Sequence, residues 1–311
     1  MMDYTDRHAR YLFRLISPHT ILYTEMINAK ALLHGNSKNL LGFNNEEHPL
    51  VLQLGGSDPL EMASAAKIAE CSGYDEININ VGCPSDRVKS GDFGACLMAK
   101  PELTADIFSA METAVGIPVT IKHRIGIDEQ DSFSDLEDFV LTLASSGCRT
   151  FIVHARKAWL KGLSPKQNRE LPPLDYERVY RLKEDHPELT IVINGGIKTV
   201  EEVRQQLAHI DGVMIGREVF KQPWLLAELE NYLNQKNAAL LTRSEVQKRY
   251  ACYIEKELAR GTSGHALVRP LSGLFHGQPG ARYWRRMLTE TVQGSPEKVA
   301  ALPELVAEFK L

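Results

Sequence analysis

Short runs of branched and apolar residues recur along this chain, and most are followed by a longer stretch with apolar positions at helical spacing. The runs Ile21–Met26, Leu50–Leu54, Glu76–Val81, Val119–Arg124, Thr150–His154, Thr190–Ile193 and Gly212–Ile215 predict strands. Helical spacing predicts helices over Pro59–Cys71, Pro101–Val115, Ser134–Ser145, Pro173–Glu184 and Val200–Leu207. Several carry start signals, such as Ser57-Asp58-Pro59, Lys100-Pro101-Glu102, and Thr199 followed by Glu201-Glu202. Asp3 and Asp6 suit caps on a first helix better than catalysis. Repeated strand–helix units predict a parallel sheet with helical crossovers. Seven strands are one short of a closed (β/α)8 TIM barrel, so the expectation is a barrel whose first strand is missing ahead of Met1-Met2-Asp3. A doubly wound sheet competes, but its early glycine-rich fingerprint is absent.

After Ile215 the pattern changes. Trp224–Leu233 reads as the last barrel helix, and Ser244–Leu258, Ala266–Phe275, Arg282–Val292 and Pro296–Phe309 read as helices with no strand between them. Glycine and proline punctuate this stretch, at Gly261, Gly264, Gly277, Pro279-Gly280 and Gly294-Ser295-Pro296. Two domains are expected: a barrel over 1–235 and an all-helical domain over 240–311.

Composition narrows the class. A chain of 311 residues with 43% hydrophobic and 24% charged residues is long enough for a barrel plus a small domain, and ordinary for a water-soluble protein. No apolar run approaches the roughly 18–20 residues a membrane helix needs, and the N-terminus lacks a signal-peptide pattern. A cytoplasmic protein is therefore expected, with no membrane partner, acting as a monomer. Five widely spaced cysteines without a CxxC indicate neither disulfides nor a metal site. The net charge of −4 argues weakly against nucleic acid, but its distribution does not. Phe139–Arg169 and Leu258–Thr289 contain several Arg and Lys and no acid. Such tracts suit either a polyanion-binding face or solvated loops that happen to lack acids.

Candidate chemistry gathers at the strand ends, where a parallel barrel presents its functional groups. Cys83 follows the run ending at Val81, on a turn set by Gly82 and Pro84, and a thiol there is a possible proton donor. The other strand ends carry Gln53, Asn80, Lys122 with Arg124, His154 with Arg156, Asn194-Gly195-Gly196, and Gly216-Arg217. The two glycine turns suit either phosphate held by backbone N–H groups or simple tight turns. Lys122 suits negative charge on a reduced flavin ring, or a Schiff base. His154 suits phosphate, a substrate oxygen, or the core; Gln53 and Asn194 suit a heterocycle edge or phosphate.

The segments Asn80-Val81-Gly82-Cys83-Pro84-Ser85, Ile121-Lys122-His123-Arg124-Ile125-Gly126, His154–Lys166 and Asn194-Gly195-Gly196-Ile197 together resemble the tRNA-dihydrouridine synthases. His154–Lys166 and Gly277-Gln278-Pro279-Gly280-Ala281-Arg282 look like the A-type subfamily. The resemblance runs over essentially the whole chain. It implies an FMN-bearing TIM barrel, a C-terminal helical domain that grips tRNA, and NADPH as reductant. It also implies hydride transfer to C6 of a D-loop uridine, U20 or U20a, with Cys83 protonating C5. The residues matching flavin contacts are Met2, Gln53, Lys122, His154, Asn194, Gly195, Gly196, Gly216 and Arg217. Asn80 matches a position beside the substrate, and Lys166, Arg169, Arg282 and Arg285 fall in tRNA-contacting regions. Two alternatives remain open on the residues: an FMN-dependent barrel acting on a free pyrimidine, and a tRNA-binding protein that has lost catalysis.

Overall fold

Strands form where β-branched residues cluster: β1 (Leu22–Asn28), β2 (Leu50–Gly55), β3 (Glu76–Val81), β4 (Val119–Arg124), β5 (Thr150–His154), β6 (Thr190–Asn194) and β7 (Gly212–Met214). The computed structural model describes residues 1–35, 40–85, 91–233 and 240–310. These divide into two compact units, one of Tyr23–Gly42 with Leu50–Ile215, the other of Met1–Leu22, Phe43–Pro49 and Gly216–Leu311. The boundary expected at residue 235 lies outside the described residues.

The first unit is built on a single sheet of order β1-β2-β3-β4-β5-β6-β7. From β2 to β7 every neighbouring pair is parallel. Chain-sequential order with helical crossovers is the winding of a TIM-barrel-like sheet; a doubly wound sheet would reverse its order at a switch point. The seven runs expected from the sequence are the seven strands. Residues alternate across the sheet: Ile77, Ile79 and Val81 are fully buried, while Glu76, Asn78 and Asn80 occupy the opposite face.

The helix starts follow their caps. Helix Pro59–Cys71 opens on Asp58, whose carboxylate accepts from the N–H groups of Leu60 and Glu61. Reciprocal capping boxes open helix Phe133–Ser145, from Ser132 and Asp135, and helix Val200–Gln206, from Thr199 and Glu202. The helix expected from Pro173 begins later, at Tyr176, because Asp175 accepts the N–H of Arg178 and so sets the first turn.

In the second unit, Asp6 caps helix Arg7–Ile16 by accepting from His8 and Ala9. Asp3 caps nothing there; it turns the chain with a left-handed φ of 62°. Helix Arg243–Ala259 is capped by Thr242 and Glu245. The helix expected over Ala266–Phe275 is instead helix Gly264–Val268 followed by a 3-10 turn over Pro270–Gly273, since Pro270 has no N–H to extend the ladder. The helix expected over Pro296–Phe309 is split into Pro296–Ala300 and Leu302–Glu308, each with a proline in its first turn. No described helix is long and apolar enough to cross a membrane.

This helical unit closes on aromatic packing and buried charge. Arg10, 4% exposed, donates from Nε to Glu47 Oε2 at 2.6 Å, and Glu47 is fully buried. Burial pushes the Glu47 carboxyl upward and Arg10 opposes the rise. Trp284 is fully buried, donates its Nε1–H to the Leu271 carbonyl at 2.8 Å, and packs against Phe275 and Phe309. Trp284→Ala removes that packing and strands the carbonyl. It should cost about 3–5 kcal/mol, read as a lower denaturant midpoint.

Candidate active site

The mouth of the parallel sheet is organised around the Cys83 turn. Asn80, at the end of β3, uses its Oδ1 to accept the backbone N–H groups of Gly82 at 3.1 Å and Cys83 at 2.9 Å. On the other side of the turn, Arg124 Nε donates to the Gly82 carbonyl at 2.8 Å. The Cys83 carbonyl accepts from Ala95 N–H at 3.0 Å, and its sulfur lies 3.6 Å from Ser85 Oγ. The thiol is partly exposed, so a substrate can reach it.

Two cations stand beside it. Lys122, at the end of β4, donates from Nζ to Asn194 Oδ1 at 3.0 Å, and Asn194 Nδ2 donates onward to the Met214 carbonyl at 2.8 Å. Arg124 is 3% exposed and gives its hydrogen bonds to the carbonyls of Gly82, Lys157 and Asn168. Among the described residues neither cation has a carboxylate partner. Desolvation, then the neighbouring Arg124, pushes Lys122 down to about 7. Desolvation likewise pushes Arg124 down to about 10, with Arg169 and Arg156 adding to the fall. A negative charge on Cys83 opposes both shifts. Buried charge without a counter-ion is costly, so the site favours an anion or an electron-rich ring.

The glycine turn after β6 completes the cradle in this unit. Gly195 and Gly196 have φ of +126° and +73°, the left-handed side that glycine tolerates. A Cβ on Gly195 would lie 2.9 Å from the His154 ring, and one on Gly196 would lie 2.5 Å from Leu174. Tyr176 donates its hydroxyl to the Gly195 carbonyl at 2.6 Å and so locks the turn. His154, Asn194, Lys122 and the glycine turn are therefore neighbours, with Gln53 and Asn80 joined to one another by a 2.8 Å hydrogen bond. A planar ring with carbonyl edges and an anionic tail, such as FMN, fits a set of two cations and neutral amides.

Other predicted residues lie elsewhere. Lys166 is exposed, and Arg169 sits in the 3-10 turn Gln167–Arg169 with its Nε buried and, among the described residues, unpartnered. Within the second unit, Gly216 and the exposed Arg217 open helix Arg217–Lys221, Met2 is 51% exposed, and a Cβ on Gly216 would meet Met1 Sδ at 3.0 Å. Arg282 and Arg285 project from helix Ala281–Val292, both exposed and, among the described residues, free of ion pairs. The rest of the acid-free tracts is less free than the sequence suggests. Lys157 pairs with Asp131 at 2.8 Å, Arg260 with Glu257 at 2.9 Å, and Arg269 with Asp6 at 2.6 Å.

Sequence reasoning passed over Asn168, which is fully buried. Its side chain accepts from Trp159 N–H at 2.8 Å and donates to the carbonyls of Trp159 and Leu163, tying the long loop after β5 together. It also passed over Tyr176 and the polar residues Glu76, Asn78 and Thr120; the every-second-residue polarity of β3 was the available signal.

A TIM-barrel-like sheet with a thiol and two cations at its mouth belongs to a class of α/β enzyme, and the comparisons narrow the class to one family. The family model for dihydrouridine synthase (Dus) matches residues 1–309, and the chain belongs to that family. Curated relatives named tRNA-dihydrouridine(20/20a) synthase include those of Vibrio parahaemolyticus, 52% identical over 99% of this chain and 95% of the relative. The Shewanella oneidensis relative is 55% identical over 93% of this chain and 86% of its own. The Escherichia coli relative is 54% identical over 93% and 88%. A solved 2-naphthoyl-CoA reductase complex shares the fold, with a TM-score of 0.53 at 12% identity over 78% of this chain and 49% of that one.

The lysine makes a prediction about pH. With Lys122 near 7 in the folded protein and at an ordinary lysine value when unfolded, the unfolded chain binds more protons between those values. Stability of the ligand-free protein should therefore rise with pH from about 7 toward about 10.4 on this account. Lys122→Met should flatten that rise, measured as denaturant midpoints of both proteins across the range. Parallel curves would remove the lysine from that role.

Proposed function

We propose that this enzyme reduces the C5=C6 bond of a D-loop uridine in tRNA, at position 20 or 20a, with FMN as bound cofactor and NADPH as reductant. The observation that carries the reading is the Cys83 thiol, held on both sides of its turn beside two cations without carboxylate partners among the described residues, in a chain of the dihydrouridine synthase family. The relatives' names supply the substrate and position.

FMN, when bound, supplies the hydride that reaches C6. The protein's own part is to hold the ring, admit the base and deliver a proton. Gln53, Lys122, His154, Asn194, Gly195 and Gly196, with Met2, Gly216 and Arg217, are the residues assigned to the cofactor. Asn80 lies beside the base. Cys83 gives the thiol proton to C5 as the double bond is lost, leaving a thiolate that water reprotonates. A positioned acid contributes typically ~10²–10⁴-fold. The uridine must leave its stack at a cost of a few kcal/mol, which phosphate contacts offset. Lys166, Arg169, Arg282 and Arg285 are assigned to those contacts, with 240–311 as the tRNA-gripping region and 1–235 as the catalytic domain. A cytoplasmic monomer suits this work.

Cys83→Ala should keep flavin and tRNA binding yet lose most dihydrouridine, measured by mass analysis of treated tRNA. Undiminished product would show that another group is the acid. Arg282→Ala and Arg285→Ala should each weaken tRNA binding and lower its salt slope by about 0.7–0.9, with NADPH oxidation little changed. Binding isotherms at several salt concentrations measure this, and slopes equal to the parent's would take both residues off the RNA face.

A further inference from the structure

An unbroken line of side-chain hydrogen bonds runs from the floor of the sheet to the Cys83 turn. Thr120 Oγ1 donates to Glu76 Oε1 at 2.6 Å, and Asn78 Nδ2 donates to Thr120 Oγ1 at 2.9 Å. Gln53 Nε2 donates to Asn78 Oδ1 at 2.9 Å, and Asn80 Nδ2 donates to Gln53 Oε1 at 2.8 Å. The line ends where Asn80 Oδ1 accepts the N–H groups of Gly82 and Cys83. Register explains the path: Gln53 pairs with Asn78 and Asn78 with Thr120, while Asn80 lies two residues further on the same face of β3.

The polarity of this line is set at both ends. A backbone N–H can only donate, and the outer carboxylate oxygen can only accept while ionised, a state that burial of Glu76 opposes and the Thr120 and Tyr23 hydroxyls favour. Each amide between them could be turned around taken alone, but here every bond runs in the same sense, from Cys83 N–H to Glu76. Water does not stand in for a missing partner, since Asn78 is fully buried, Thr120 3% exposed and Gln53 8% exposed. Tyr23 adds a long second donor to Glu76 at 3.5 Å. Among the described residues, Gln53 and Asn80 each keep one side-chain N–H uncommitted, available to a carbonyl oxygen of a bound ring.

We propose that Glu76, through Thr120 and Asn78, is a positioning residue for the site: it anchors the line that orients Gln53 and Asn80 and thereby holds the Cys83 turn in place. Glu76 is the first residue of β3, at the opposite end of the strand from the Cys83 turn, so it acts only through the line. The assignment rests on the reading of Cys83 as acid and of Gln53 and Asn80 as ring contacts.

Thr120→Val cuts the line with little change of shape, and Thr120→Ser restores it. In single turnovers of the reduced, flavin-loaded enzyme with tRNA, Thr120→Val should lower the rate per bound flavin by about tenfold or more, and Thr120→Ser should stay near the parent. A purely structural role would lower flavin occupancy or the melting midpoint and leave the rate per bound flavin unchanged. A second readout needs no flavin. In the labelled ligand-free protein, the side-chain amide protons of Asn78, Gln53 and Asn80 should be protected from exchange in parent and Thr120→Ser, and exchange faster in Thr120→Val. A Thr120→Val protein with the parent's rate per flavin and the parent's amide protection overturns the assignment alone. A parent that loads flavin but forms no dihydrouridine overturns the function proposed above, and this assignment with it.

Discussion

Positive charge without a counter-charge organises the sheet mouth. Lys122 and Arg124 leave the end of β4 and, among the described residues, meet only an amide and carbonyls. In water such groups would be solvated, and inside a domain they are normally paired. Here the protein accepts the desolvation, visible as the downward displacement of both groups. Neutral partners hold the charges in place without cancelling them. A carboxylate at the same distance would quench the field an anionic or electron-rich ligand needs. The same arginine also pins Gly82, so the group that supplies charge fixes the direction of the thiol as well.

Much of this was legible along the chain, and what was not has a physical reason. The seven strands were readable because branched residues cluster in short runs, and several helix starts because residues such as Asp58 and Thr199 are local caps. Cys83, Lys122 and the glycine pair were legible as strand-end residues and from the family resemblance. The partners were not. Whether Lys122 meets an amide or a carboxylate depends on residue 194, far along the chain, and no spacing rule reaches that distance. Helix boundaries after residue 260 slipped for a local reason, because prolines that can open one helix also end the one before.

The acid-free tracts show the same limit from the charge side. Counting along the chain treats Lys157, Arg260 and Arg269 as free cations, yet Asp131, Glu257 and Asp6 neutralise them. Glu257 is only three residues from Arg260, just before the tract begins, while Asp6 is brought in from the other end of the chain. What survives this subtraction in the helical unit is narrower and better defined: Arg282 and Arg285 on the exposed face of one helix, with Tyr283 56% exposed between them.

Proton delivery to a carbon places a demand on geometry that proton delivery to oxygen does not. Carbon offers no lone pair to capture a loosely aimed proton, so the acid must sit along the developing bond when the ring accepts its hydride. A cysteine has one rotatable bond to its sulfur, so a fixed backbone leaves its thiol only three staggered directions. That places the burden on the turn, and the turn is held from both of its sides: Asn80 takes the N–H groups of Gly82 and Cys83, and Arg124 takes the Gly82 carbonyl. Each holder is itself held, Asn80 by Gln53 and Arg124 by the carbonyls of the loop that Asn168 ties together. Loosening either side would leave the thiol present and accessible but misdirected. Rate should therefore be more sensitive than binding to changes in the outer support Asn168, which acts only through the loop it ties together.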